Sequence, residues 1–143
     1  MKKLNEEIKT GQLKQVYLLC GEEAYLRNQY RDRLKKALLD GGDAMNLHSF
    51  EGKGIQTGEV IDLAETMPFL AQRRVLVIEN SELFKHGGEQ LAQYLASPAQ
   101  TAYFVFVEQA VDKRSKLYKA VQTKGRIIEC NTQDEAVLKR WIL

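Results

Sequence analysis

The sequence predicts an α/β domain in which helices cover both faces of a parallel sheet. Three continuous apolar runs, at residues 16–20 (VYLLC), 75–79 (VLVIE) and 103–108 (YFVFVE), suit strands buried on both sides. Longer stretches of helical period separate them, the alternation expected of strand-helix-strand units. Size and composition agree. The 143 residues are 44% hydrophobic and 28% charged, and 21 Lys and Arg stand against 19 Asp and Glu, a net charge of +2. A chain of this length buries roughly 68 to 70% of its unfolded surface, so its core needs neither metal nor disulfide. The composition argues against a disordered, collagen-like or low-complexity chain. Two cysteines, Cys20 and Cys130, are too few for a disulfide scaffold or a cysteine-rich zinc site.

Taken in order, the chain opens on MKKLNEEIKTGQ, where Glu6 and Glu7 stand in place of the apolar stretch of an export signal. No apolar run approaches the roughly 20 residues of a membrane span. A cytoplasmic protein without membrane contact is the expectation. After the first strand, Leu26, Tyr30, Leu34 and Leu38 recur every four residues, with Arg27, Arg31 and Lys35 in a parallel polar row, and Gly41 and Gly42 end this helix. Residues 47–50 (LHSF) are more polar and read as an edge strand. Thr57 is placed to cap a helix whose inward face is Val60, Ile61, Ala64 and Met67, and Pro68 stops it by forcing Met67 out of the helical region. A short helix spans residues 88–95 and ends before Ser97 and Pro98. Another begins at Asp112, buries Leu117, Tyr118 and Val121, and closes at Gly125 before a short strand at 126–130. Thr132 to Glu135 forms a capping box for a last helix with Val137, Leu138, Trp141 and Ile142 on its apolar side. No stop signal follows it, which reads as a fragment whose continuation covers these side chains.

The first strand-to-helix turn is where such a sheet would hold phosphate. Residues 20–27 (CGEEAYLR) lack the second glycine, the lysine and the Ser or Thr of a P-loop. Glu22 and Glu23 would meet the helix dipole themselves and repel a triphosphate. Glu79 resembles the acid that ends a catalytic strand in ATPases, but it stands alone. His48 and His86 lie at no ligand spacing, and no nucleophile is paired with a base, so neither a metal site nor a catalytic residue is expected. No cofactor is implied. Basic residues gather at Lys113, Arg114, Lys116, Lys119, Lys124 and Arg126. They read first as a solvated face, because no aromatic residues alternate with them; nucleic-acid contact at Lys113, Arg114 and Lys116 is the alternative. The loop at Met67, Pro68, Phe69, Leu70, Ala71, Gln72, Arg73 and Arg74 is unusual in placing adjacent apolar residues where a polar link belongs. It serves either as a contact surface or as a cap folded over the core.

Three stretches in this order resemble the N-terminal region of the delta subunit of bacterial DNA polymerase III. They are residues 16–26 (VYLLCGEEAYL), residues 67–74 (MPFLAQRR) with the strand after them, and residues 107–120, of which DKRSKLYKA is the most specific part. The resemblance implies a three-layer, P-loop NTPase-like (AAA+-like) domain with a five-stranded parallel sheet, without a functional nucleotide site. The strands would be ordered fifth, first, fourth, third, second, with Cys20 and Cys130 at the same ends of neighbouring strands as reduced thiols. It implies a single domain over residues 1–143, with a helical lid and a C-terminal collar domain beyond it. The implied function is that of a non-catalytic clamp-loader subunit, part of the polymerase holoenzyme, that binds and opens the sliding clamp (the beta subunit) during replication. Met67, Pro68, Phe69 and Leu70 match the positions that enter a pocket on the clamp, while Glu65 stands where many clamp-binding peptides carry glutamine. Other clamp-loader subunits, and DNA in the full complex, are the further implied partners. The rival readings are a nucleic-acid-binding domain built on the helix between Lys113 and Arg126, and a P-loop ATPase.

Overall fold

The computed structural model describes residues 2–39, 46–68 and 73–130. Its order is α1 (Lys2–Thr10), β1 (Val16–Cys20), α2 (Ala24–Leu39), β2 (Leu47–Glu51), α3 (Thr57–Glu65), β3 (Arg74–Glu79), α4 (Glu89–Leu95), β4 (Ala102–Glu108), α5 (Lys116–Lys124) and β5 (Arg126–Glu129). The five strands are all parallel and ordered β2-β3-β4-β1-β5, with Leu18 opposite both Phe106 of β4 and Ile127 of β5. This is the order that the family resemblance implies, and the more polar β2 is an edge strand as expected.

Alternation along each strand divides the core into two layers. Val16, Leu18, Leu76, Ile78, Phe104 and Phe106 point to one face, where Val60 and Ala64 of α3, Leu91 and Leu95 of α4, and Leu117 and Val121 of α5 cover them. Phe84 meets Phe106 edge to face there, with ring centroids 5.1 Å apart. Tyr17, Leu19, Val75, Val77 and Val105 point to the other face, under Leu26, Tyr30, Leu34 and Leu38 of α2 and Leu4 of α1.

The structure corrects the sequence reading at several boundaries. The first nine residues after Met1 form a helix that no periodicity in the sequence marks; Leu4 is fully buried, and Glu7 accepts from Tyr17 Oη (2.9 Å) and from Arg126 Nε and Nη2 (2.9 and 2.8 Å). Thr57 does not cap α3. Gln56 occupies that place without a side-chain cap, and the Thr57 hydroxyl donates to Gln90 Oε1 instead. The helix stops at Glu65, so Met67 lies outside it and is 75% exposed rather than inward. The helix after Asp112 starts later, at Lys116, with the Ser115 hydroxyl accepting from Tyr118 N at 3.1 Å. Asp112 instead accepts from Arg114 N at 2.9 Å, a local turn that competes with helix. Its expected buried residues and its end at Gly125 are as the sequence predicted. The capping box at Thr132 and the helix after it lie outside the described residues.

Candidate partner-binding edge

The described residues between α3 and β3, 66–68 and 73, lie at the edge of the sheet where the strands begin. Thr66 closes α3 in an extended conformation, its N–H donating to Leu63 O. The free carbonyls that follow are taken by Arg74, the first residue of β3 and 6% exposed: Nε donates to Thr66 O at 2.8 Å, Nη2 to Met67 O at 2.7 Å, and Nη1 to His48 Nε2. A guanidinium has only donors, so His48 Nε2 is the acceptor and its ring is neutral. Burial first, and then the Arg74 charge, hold the His48 pKa below its ordinary value. Arg73 is spent in the same way, donating to Leu38 O (3.2 Å), Ala37 O (3.4 Å) and Gly11 O (3.3 Å) with its guanidinium 5.1 Å from the centroid of the Tyr103 ring. The two arginines thus tie the described residues on either side of the loop to their neighbours, Arg74 to the end of α3 and Arg73 to the end of α2 and to Gly11. Met67 projects from this clasped backbone, Pro68 beside it is partly buried, and Phe69 and Leu70 lie outside the described residues.

The opposite edge, where strands end, carries the turn at which a P-loop fold would bind phosphate. Here the chain fills it. Gly21 has φ +123°, and a Cβ there would stand 2.0 Å from Cys130 O. That carbonyl accepts from Glu23 N at 3.1 Å, and the Arg27 guanidinium donates to Gly21 O. Glu79 is paired with Arg31, Oε1 to Nη1 at 2.6 Å, so the acid ending β3 and part of the polar row on α2 satisfy each other. Cys20 and Cys130 are buried on adjacent chain segments and are not joined in a disulfide, and burial foremost pushes the Cys20 thiol up to about 11.

One residue at this edge went unnoticed in the sequence. Glu108 ends β4 nearly fully buried; Oε2 accepts from Ser81 N and Oγ, both at 3.1 Å, and Oε1 from Glu82 N at 2.9 Å. Burial raises its pKa against the pull of these donors. It holds a turn in which Asn80 and Glu82 have φ of 54° and 60°. Its partners lie 26 and 27 positions away, so no local pattern marks it.

The basic cluster is divided by the fold. Lys113 pairs with Glu129 (2.9 Å), Arg114 with Asp112 (3.2 Å) and Arg126 with Glu7 (2.8 Å). Lys116, Lys119 and Lys124 on α5 are exposed and have no ion-pair partner among the described residues. The three candidate nucleic-acid residues therefore differ: Lys113 and Arg114 are neutralised in place, and Lys116 is not. No helix of the described residues is long and apolar enough to cross a membrane.

Comparison with known proteins agrees with this architecture. The family model described as DNA polymerase III, delta subunit, matches residues 17–131. A DNA polymerase III subunit delta of Bacillus subtilis (strain 168) is 29% identical over 136 residues, covering 87% of this chain and 39% of that protein. A solved structure of a Bacillus subtilis DNA clamp loader delta protein superimposes with a TM-score of 0.80 at 27% identity, over 91% of this chain and 42% of its own. A gamma subunit-related protein of Thermotoga maritima (TM-score 0.65, 11% identity, 90% of this chain and 46% of that one) shares the fold. So does a RuvB variant from the same organism (0.50, 18%, 90% and 43%). The chain spans about two fifths of the length of the delta proteins it matches. A five-stranded parallel sheet with P-loop NTPase-like topology, matched by the delta model over residues 17–131, places this chain in the DNA polymerase III delta-subunit family.

Proposed function

We propose that the chain is the AAA+-like N-terminal domain of a non-catalytic clamp-loader subunit that binds and opens the sliding clamp in the cytoplasm during replication. The observation that carries this reading is Met67, a large apolar side chain left exposed on backbone that Arg74 clasps, immediately before Pro68, Phe69 and Leu70. A buried arginine spent on two loop carbonyls makes sense if the loop must present its apolar residues in a defined place. Phe69 and Leu70 are the anchors, each contributing roughly 1.5 to 3 kcal/mol when fully buried in a partner's pocket. The closed turn at Gly21 and the Glu79–Arg31 pair favour a scaffold over an ATPase. Opening would follow from differential binding, the domain preferring a clamp interface that the closed ring rarely adopts. The test compares affinity for the closed ring with affinity for a single clamp subunit carrying a disrupted ring interface. Tighter binding to the single subunit is expected; equal affinity would leave binding but remove opening.

A second reading, DNA contact within the full clamp loader, is favoured by unpaired Lys116. It expects binding of duplex DNA that weakens steeply with salt and is lost on Lys116→Glu.

A further inference from the structure

A groove runs between α4 and α5 on the face of the sheet that these helices cover. Its volume is about 360 Å³. That is near the lower end of the roughly 300 to 1,000 Å³ typical of ligand sites, room for a few side chains but not for a folded surface. Its apolar lining is the buried Leu95 with the half-buried Ala92 and Ala120, small residues that let the two helices approach, and the exposed Ala96 beside them. Lys116, Lys119 and Lys124 stand along the α5 side, and Glu89 is the carboxylate among the lining residues. Lys113, Arg114 and Arg126 are neutralised by their own carboxylates, so the unpaired positive charge of this region is concentrated on the rim of the trough.

We propose that this groove binds an acidic segment of a partner protein, one whose aliphatic side chains enter the alanine-lined floor while its carboxylates meet Lys116, Lys119 and Lys124. Charge complementarity selects an acidic occupant. The apolar floor selects a peptide over a nucleic acid: phosphates would use the rim and leave the trough unfilled, and among the described residues no aromatic side chain lines it for a base to stack on. The inference does not rest on the proposed clamp contact: Met67, Pro68, Arg73 and Arg74 are not among the residues that line the groove.

The experiment measures fluorescence anisotropy of a labelled synthetic peptide alternating Glu and Asp with Leu and Ala, added to the whole chain. The controls are a peptide with Ser in place of Leu and Ala, and a labelled single-stranded oligonucleotide. The variants are the Lys116→Glu, Lys119→Glu double change and Ala96→Glu, all at exposed positions, with thermal unfolding confirming that they fold. Saturable binding of the acidic apolar peptide is expected, at least about tenfold weaker for the Ser control and for either variant. No binding, equal binding of the Ser control, or binding that the variants leave unchanged would overturn the proposal. Tighter, steeply salt-dependent oligonucleotide binding that the peptide does not displace would make the groove a nucleic-acid surface instead.

Discussion

At the scale of single residues, the arginines of the sequence RR at 73 and 74 divide their donors among chain segments far apart in sequence. Arg74 joins the end of α3 to the start of β3 and to His48 of β2. Lysine has one point donor group where this site uses a fork of three, so Arg74→Lys is not conservative. It should lower unfolding free energy by about 1 to 3 kcal/mol, the cost of leaving buried acceptors unmet, as read by urea denaturation. A loss below about 0.5 kcal/mol would mean that water replaces the fork. His48 adds a pH dependence with a definite sign. Its pKa is lowered in the folded state, so the unfolded chain takes up the proton more readily, and stability falls as pH drops below the unfolded value near 6.5. Urea midpoints followed from about pH 8 to pH 5 should fall more steeply for the native protein than for His48→Gln; parallel curves would remove His48 as the source. None of this was visible in the sequence, where the histidine looked isolated, because Arg74 reaches it across paired strands and not along the chain.

At the scale of elements, strands and buried helix faces were the legible part. Residues 16–20 and the row Leu26, Tyr30, Leu34, Leu38 required no tertiary information, since period and burial coincide. Boundaries set by side-chain competition were less legible. Asp112 looked like a helix start but bonds Arg114 N, and Ser115 three residues later does the capping. Helix α1 carries only Leu4 and Ile8 as an inward pair, too little period to stand out until Glu7 is seen to reach Tyr17 and Arg126. The missing P-loop was plain from the residues, whereas what occupies its place was not: the Cys130 carbonyl arrives from the other end of the chain. Gly21→Ala tests that closure. The new Cβ would combine a left-handed backbone with a clash against Cys130 O, and a loss of at least about 1 to 3 kcal/mol in thermal or urea unfolding is expected. An unchanged midpoint would show that β5 can move away from the turn.

At the scale of the whole molecule, the two edges of one sheet are put to different uses. At the edge where strands end, the turn at Gly21 is closed by the Cys130 carbonyl and the nearby acid of β3 is paired with Arg31, and at the edge where strands begin Met67 stands exposed on backbone that Arg74 clasps. The apolar pair after Pro68 was legible as an anomaly in the sequence, and the family resemblance implied a partner for it; the hold of Arg74 on the Thr66 and Met67 carbonyls was not legible. The most direct test of that division is the affinity of this chain for the sliding clamp of its own organism, measured beside a Phe69→Ala, Leu70→Ala double variant whose circular dichroism matches the parent. With roughly 1.5 to 3 kcal/mol at each position and about 1.4 kcal/mol per tenfold, the variant should bind at least about 100-fold more weakly with its unfolding midpoint unchanged. Equal affinity of the two folded proteins would contradict the account and move the clamp contact off this loop.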